Sequence, residues 1–156
     1  MWLSWTEVQA PTVVLPREIH VRQLDPADEA ALGWLMWACF QDSVTDSYAT
    51  AADAAGEVTQ TLAGKWGPVV WTASLVAVRD GLVIAAVVVV LDDAHDHVPL
   101  LAYVMTDPAY RRRGVARRVI EESISLLAAA GMTELHLAVA RANPAVGLYR
   151  RLGFHS

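Results

Sequence analysis

The segment Thr106-Asp-Pro-Ala-Tyr-Arg111-Arg112-Arg113-Gly114-Val115-Ala116-Arg117 sets four arginines around a glycine and an alanine, where an apolar run gives way to a helical repeat. Backbone N–H groups in the first turn of a helix have no intrahelical acceptor and point along its axis, so they suit phosphate oxygens. Gly114 and Ala116 are small enough to let a diphosphate approach the main chain, and Arg111, Arg112, Arg113 and Arg117 add positive charge. A ligand carrying a diphosphate fits here. Arginine runs also occur as solvated faces and nucleic-acid patches. The acidic remainder of the chain argues against nucleic acid as a partner.

The elements that must position these residues follow from periodicity. Residues 19–24 alternate apolar and polar, the mark of a half-buried strand. Asp25-Pro26 then opens a helix whose Leu32, Leu35, Met36, Cys39 and Phe40 fall at helical spacing, and a second, weaker helix is expected over 51–63. Strands at about 71–78 and 82–91 flank Asp80-Gly81, a pair that favours a tight hairpin. The second of them is apolar on both faces and reads as the doubly covered centre of a sheet. A strand at 99–106, a helix at 114–130, a strand at 134–140 and a short helix from Pro144 to Leu152 complete the chain. The strand, helix, strand order near the end predicts a parallel pair in a mixed α/β sheet.

Composition narrows the class further. The 156 residues carry a net charge of −5 and are 54% hydrophobic, which excludes a disordered chain and fits a single domain. The expected division is an arm at 1–18 and one domain at 19–156. Residues 1–110 hold 14 acidic and 4 basic side chains, whereas residues 111–156 hold 3 acidic and 8 basic. The last third is thus a cationic region suited to a polyanionic small ligand, and the acidic remainder attracts cations such as amines. One cysteine, Cys39, and no cluster with metal-ligand spacing predict neither disulfide nor metal. The N-terminus lacks the basic start of a signal peptide, and the longest apolar run is about half a membrane span. A cytoplasmic protein without a membrane partner is the expectation.

Two motifs give these segments a family. Arg111-Arg-Arg-Gly114-Val-Ala116 resembles the Gln/Arg-x-x-Gly-x-Gly/Ala signature of the GCN5-related N-acetyltransferases (GNAT), and Asn143-Pro-Ala-Val-Gly-Leu-Tyr149-Arg-Arg-Leu-Gly153-Phe154 looks like that family's closing segment. The resemblance implies a GNAT-like mixed, splayed central sheet flanked by helices, binding acetyl-CoA and releasing coenzyme A. It implies that Val104, Met105 and Thr106 pair with the pantetheine arm through their backbone, the Val104 amide polarising the thioester carbonyl. It assigns the diphosphate to the amides of Arg112, Arg113, Gly114, Val115, Ala116 and Arg117, and a pantetheine contact to Asn143. Tyr149 becomes the candidate general acid for the departing thiolate. Outside the family, Tyr149 reads as a core tyrosine and Asn143 as a helix cap.

The implied reaction is direct attack of a primary amine, small-molecule or peptide, on the acetyl carbonyl. Two departures qualify it. Leu100 and Ala102 stand where such enzymes carry a Glu or His base, which leaves water, His95, Asp96, His97 or a substrate already deprotonated. The C-terminal β-hairpin usual after Gly-Phe is absent from this sequence, so the strand at 134–140 needs a cover. The Trp-rich arm at 2–15, or the same arm from a second subunit in a homodimer, is expected to supply it. A non-catalytic acyl-CoA-binding or regulatory module is the alternative these departures leave open. The acceptor region is expected in the early helices and the loops at 42–68 and 92–98, near Trp34, Trp37 and Trp66.

Overall fold

The fold, seen in a computed structural model that describes residues 1–8, 11–41 and 48–156, is a six-stranded mixed sheet between two helical layers. The elements are β1 (Trp2–Ser4), β2 (Ile19–Gln23), α1 (Glu29–Phe40), α2 (Ala51–Leu62), β3 (Leu75–Arg79), β4 (Leu82–Asp92), β5 (Val98–Thr106), α3 (Val115–Ala129), β6 (Glu134–Leu137) and α4 (Val146–Arg151). The strand order is β1-β6-β5-β4-β3-β2, antiparallel except for the parallel pair of β5 and β6. β4 lies inside the sheet, and its Val87 and Val89 pack towards α3 while Val88 and Val90 pack towards α1 and α2. Apolar side chains on both faces of β4 thus bind the two layers to one sheet.

Local signals place the ends of these elements. Asp80 and Gly81 both take positive φ, 51° and 75°, the backbone that a two-residue hairpin between β3 and β4 requires. The Asp25 side chain accepts from the Ala27 amide at 2.8 Å, and Asp28 accepts from the Asp25 amide at 2.8 Å. Asp28 also holds Arg22 through two 2.8 Å contacts, and that guanidinium keeps the carboxyl below its usual range. Gly33 lets α1 and α2 come close, since a Cβ there would stand 3.1 Å from Ala55 Cα.

Two expected strands are shorter than their patterns suggest. Residues 71–73 form a 3-10 turn, and β3 starts only at Leu75. The buried Ser74 hydroxyl explains this, because it donates to Val70 O at 2.9 Å and accepts from the Val89 amide at 3.0 Å, replacing ladder bonds. β6 stops at Leu137, since its partner β5 turns away there.

The arm supplies the cover that β6 needs, and it does so within the same chain. Trp2, Leu3 and Ser4 pair with His136, Leu135 and Glu134, and the Trp5 indole donates to Met132 O at 3.1 Å. On the outer side of β1, Trp2 and His155 exchange backbone bonds of 2.8 and 2.9 Å, and their rings meet edge to face at 3.9 Å. His155 is thereby held against β1. A three-residue edge strand bridged on its outer side by His155 offers little template for further pairing.

Candidate functional site

The site begins where β5 leaves β6. The parallel pairing covers only Leu100 with His136 and Leu101 with Leu137. Val88 then faces Tyr103 while Val89 faces Leu101, so Ala102 is an extra residue, a bulge that turns Ala102 and Tyr103 to the same α1/α2 face. Beyond the bulge, the ladder direction fixes where the amides point. The Asp107 N–H donates to Ile84 O at 2.7 Å, so the groups of Met105 and Tyr103 also face β4, and those of Val104 and Thr106 face the opening left by β6. Val104 and Thr106 thus present free strand edge, while the Met105 side chain is fully buried beneath it.

Eight residues past Asp107 the chain reaches the start of α3. Asp107 Oδ1 accepts from the Ala109 amide at 2.9 Å and folds 108–110 into a single tight turn. Arg112 and Gly114 then take positive φ, 63° and 78°, which curls the backbone so that successive amides face one concavity. The Arg118 amide donates to Gly114 O at 3.0 Å, the first bond of α3, so the amides of Val115, Ala116 and Arg117 have no acceptor in the helix. The arginine side chains are largely occupied elsewhere. Arg111 donates to Cys39 O at 2.8 Å, Arg113 lies over the Tyr110 ring at 5.4 Å, and Arg117 and Arg118 hold Glu121 and Glu122. Among the described residues, Arg112 has no such partner. The concavity is built from main chain.

The arm also reaches this turn. Thr12 N–H donates to Glu121 at 2.6 Å, and Arg118 donates to Val13 O at 2.7 Å. A Cβ on Gly114 would stand 2.9 Å from Val13 Cγ1, so a side chain there meets the arm before any ligand. The glycine is needed for its φ and for Val13. Arg117 and Arg151 border a cleft of about 460 Å³ between the arm, α3 and α4.

Tyr149 belongs to the core layer on the α3 side of the sheet. It is buried, packs edge to face on Phe154 at 5.9 Å, and among the described residues its hydroxyl has no hydrogen-bond partner. Burial, with a smaller push from Cys39, raises the phenol to about 12. Asn143 Oδ1 accepts from the Ala145 amide at 2.8 Å, which closes the turn before α4 and does not cap the helix, and leaves its amide NH2 group to donate.

The far side of β5 carries a group that sequence reasoning missed. The Tyr103 hydroxyl donates to Glu57 of α2, and the same carboxylate takes Lys65 Nζ at 2.8 Å and the Trp66 indole N–H at 3.4 Å. Burial works to raise the Glu57 carboxyl, yet the Lys65 and Tyr103 bonds hold it below its usual range. No spacing in the sequence links positions 57, 65 and 103, and the bulge at Ala102 that turns Tyr103 towards α2 shows only in the structure. His95 and His97, two of the candidate bases, are exposed in the turn before β5 and pair with Asp92 and Asp93. Residues 42–47 of the expected acceptor loop, and 9–10 of the arm, lie outside the described residues.

Comparison with known proteins supplies the context. Residues 70–156, more than half of the chain, match the model of the acetyltransferase (GNAT) domain. No curated protein matches significantly. A GCN5-related N-acetyltransferase structure from Sphaerobacter thermophilus superposes with a TM-score of 0.73 at 21% identity, over 99% of this chain and 46% of that one. A GNAT family acetyltransferase from Brucella melitensis, solved with acetyl-CoA, gives 0.67 at 23% identity over 88% and 83%. The ribosomal-protein-S18-alanine N-acetyltransferase of Escherichia coli gives 0.67 at 19% over 88% and 77%. At these identities the likeness is one of fold. Among the described residues no helix is long and apolar enough to cross a membrane, and no cluster of His, Cys, Asp and Glu offers a metal site.

Proposed function

The chain belongs to the GNAT acetyltransferases, and we propose that it transfers the acetyl group of acetyl-CoA to a primary amine by direct attack. The observation that carries this reading is the free backbone edge at Val104 and Thr106 lying a short loop away from the unbonded amides of Val115 to Arg117. Acetyl-CoA combines a chain of amides with a diphosphate, and these two backbone features match them in kind. When bound, it supplies an activated acetyl thioester.

In this reading Val104 N–H donates to the thioester carbonyl and stabilises charge developing there. Val104, Met105 and Thr106 align the pantetheine amides, and the Asn143 NH2 group donates to the same arm. The amides from Arg112 to Arg117 hold the diphosphate, with charge from Arg112 and the neighbouring Arg111, Arg113 and Arg117. Tyr149, raised to about 12, stays protonated at neutral pH and donates to the departing sulfur. A thiol of ordinary pKa near 8.5 is more acidic than such a phenol, so Tyr149 acts by hydrogen bonding, and the proton lost by the amine ends on the thiolate.

The attacking amine must be neutral, and its ammonium form has a pKa of about 10.4. Neither Leu100 nor Ala102 on β5 can accept a proton. Solvent water therefore takes the ammonium's proton before attack, and the second proton, lost as the amide forms, is the one that ends on the thiolate. The rate is expected to climb with pH towards the acceptor's own pKa, without a plateau near neutrality; a plateau at pH 6–7 would mean a protein base. The same lack of a base favours the second reading, an acyl-CoA-binding module without turnover. Thiol release in the presence of a panel of amines, beside calorimetry with acetyl-CoA, separates the two: turnover supports the enzyme, and binding alone supports the module.

A further inference from the structure

Lys65 is the only lysine in the sequence, and its ammonium sits in a prepared place. It lies 2.8 Å from the Glu57 carboxylate and 4.8 Å from the centre of the Trp66 ring. The Trp66 indole and the Tyr103 hydroxyl donate to the same carboxylate and fix its orientation. A carboxylate in line with an aromatic face is the arrangement that recognises an alkylammonium. Glu57 is largely shielded, its side chain 16% exposed, whereas Lys65 reaches it from solvent on a flexible stem with 37% exposure. Tyr103 joins this group to the reacting strand, since it immediately precedes Val104.

We propose that Glu57, Trp66 and Tyr103 form a subsite for a second positive charge on the acceptor, and that Lys65 occupies this subsite until an acceptor displaces it. The acceptor class is then a diamine or another amine bearing a remote cation. One nitrogen rests on Glu57, and the other, a tyrosine's length away, is presented beside Val104. The carboxylate anchors the acceptor and takes no proton from the attacking nitrogen. The excess of acidic over basic side chains in residues 1–110, 14 against 4, attracts dications to the same half of the molecule. This inference rests on the acetyl-transfer reading for its reacting nitrogen, but the subsite itself binds without catalysis.

The test titrates the full chain, with and without coenzyme A, with 1,5-diaminopentane and with n-pentylamine, followed by calorimetry and tryptophan fluorescence. The diamine is expected to bind at least about tenfold tighter than the monoamine, the worth of one charged contact in a partly desolvated site. Glu57→Gln should abolish that difference, and Lys65→Met, which removes the internal competitor, should tighten the diamine. Melting curves of each variant separate loss of the subsite from loss of the fold. Equal binding of the two amines to the natural chain, discrimination surviving in Glu57→Gln, or weaker diamine binding in Lys65→Met would each overturn the proposal. Failure of coenzyme A to bind would instead strike the acetyl-transfer reading, and the titrations without it would still decide the subsite.

Discussion

The two sides of β5 are built from different materials. Towards β6 and α3 the surface offered to a ligand is main chain: the outward groups of Val104 and Thr106 and the amides at the start of α3. Towards α1 and α2 it is side chains, with Glu57, Lys65, Trp66 and Tyr103 drawn together from positions far apart in sequence. A backbone site depends on where helices start and strands part, and tolerates change in most side chains. A side-chain site can be rewritten by single substitutions while the sheet stays intact, which suits the face that meets a variable acceptor.

Removing the arm that closes the main-chain side should have the largest effect. Deletion of residues 1–15 strips Leu3, Trp5 and Val8 from the core and exposes β6, so a loss of roughly 3 kcal/mol or more, or an insoluble product, is expected on denaturant titration. A truncated chain as stable as the full one would show that the arm is an ornament. Next comes chemistry at the opening between the sides. Tyr149→Phe should lower kcat on the order of 10²-fold, with acetyl-CoA affinity little changed, as steady-state kinetics beside calorimetry would read.

The contrast between backbone and side chain predicts the remaining two results. Gly114→Ala places a Cβ at positive φ and against Val13, so stability should fall by about 1–2 kcal/mol and coenzyme A should bind more weakly. Adding Val13→Ala should relieve the contact and leave the cost of the backbone angle. Arg112→Ala, by contrast, should change coenzyme A affinity by less than about tenfold, the scale of one exposed charge. A larger loss there would mean that side-chain charge, and not the main chain, holds the diphosphate.

The same division explains what could be read from the sequence. The helix start at Gly114, the apolar run of β4 and the Asp80-Gly81 hairpin are local signals, and each appears in the structure where its pattern places it. The cover of β6 by the arm was legible as a need, because an unpaired strand beside an apolar core must be closed. The 3-10 turn at 71–73 was not, since it depends on the Ser74 hydroxyl meeting Val70 and Val89 in three dimensions. Glu57 was silent for the same reason: its partners stand 8, 9 and 46 positions away. The bulge at Ala102, which aims Tyr103 at Glu57, leaves no mark in a pattern of apolar residues.

Amide hydrogen exchange, read residue by residue with and without coenzyme A, tests the main-chain account most directly. Slowed exchange is expected at Val104, Thr106 and Val115 to Arg117, while α2 around Glu57 keeps its free-state rates. Binding of coenzyme A without protection at these amides, or protection centred on α2, would contradict it.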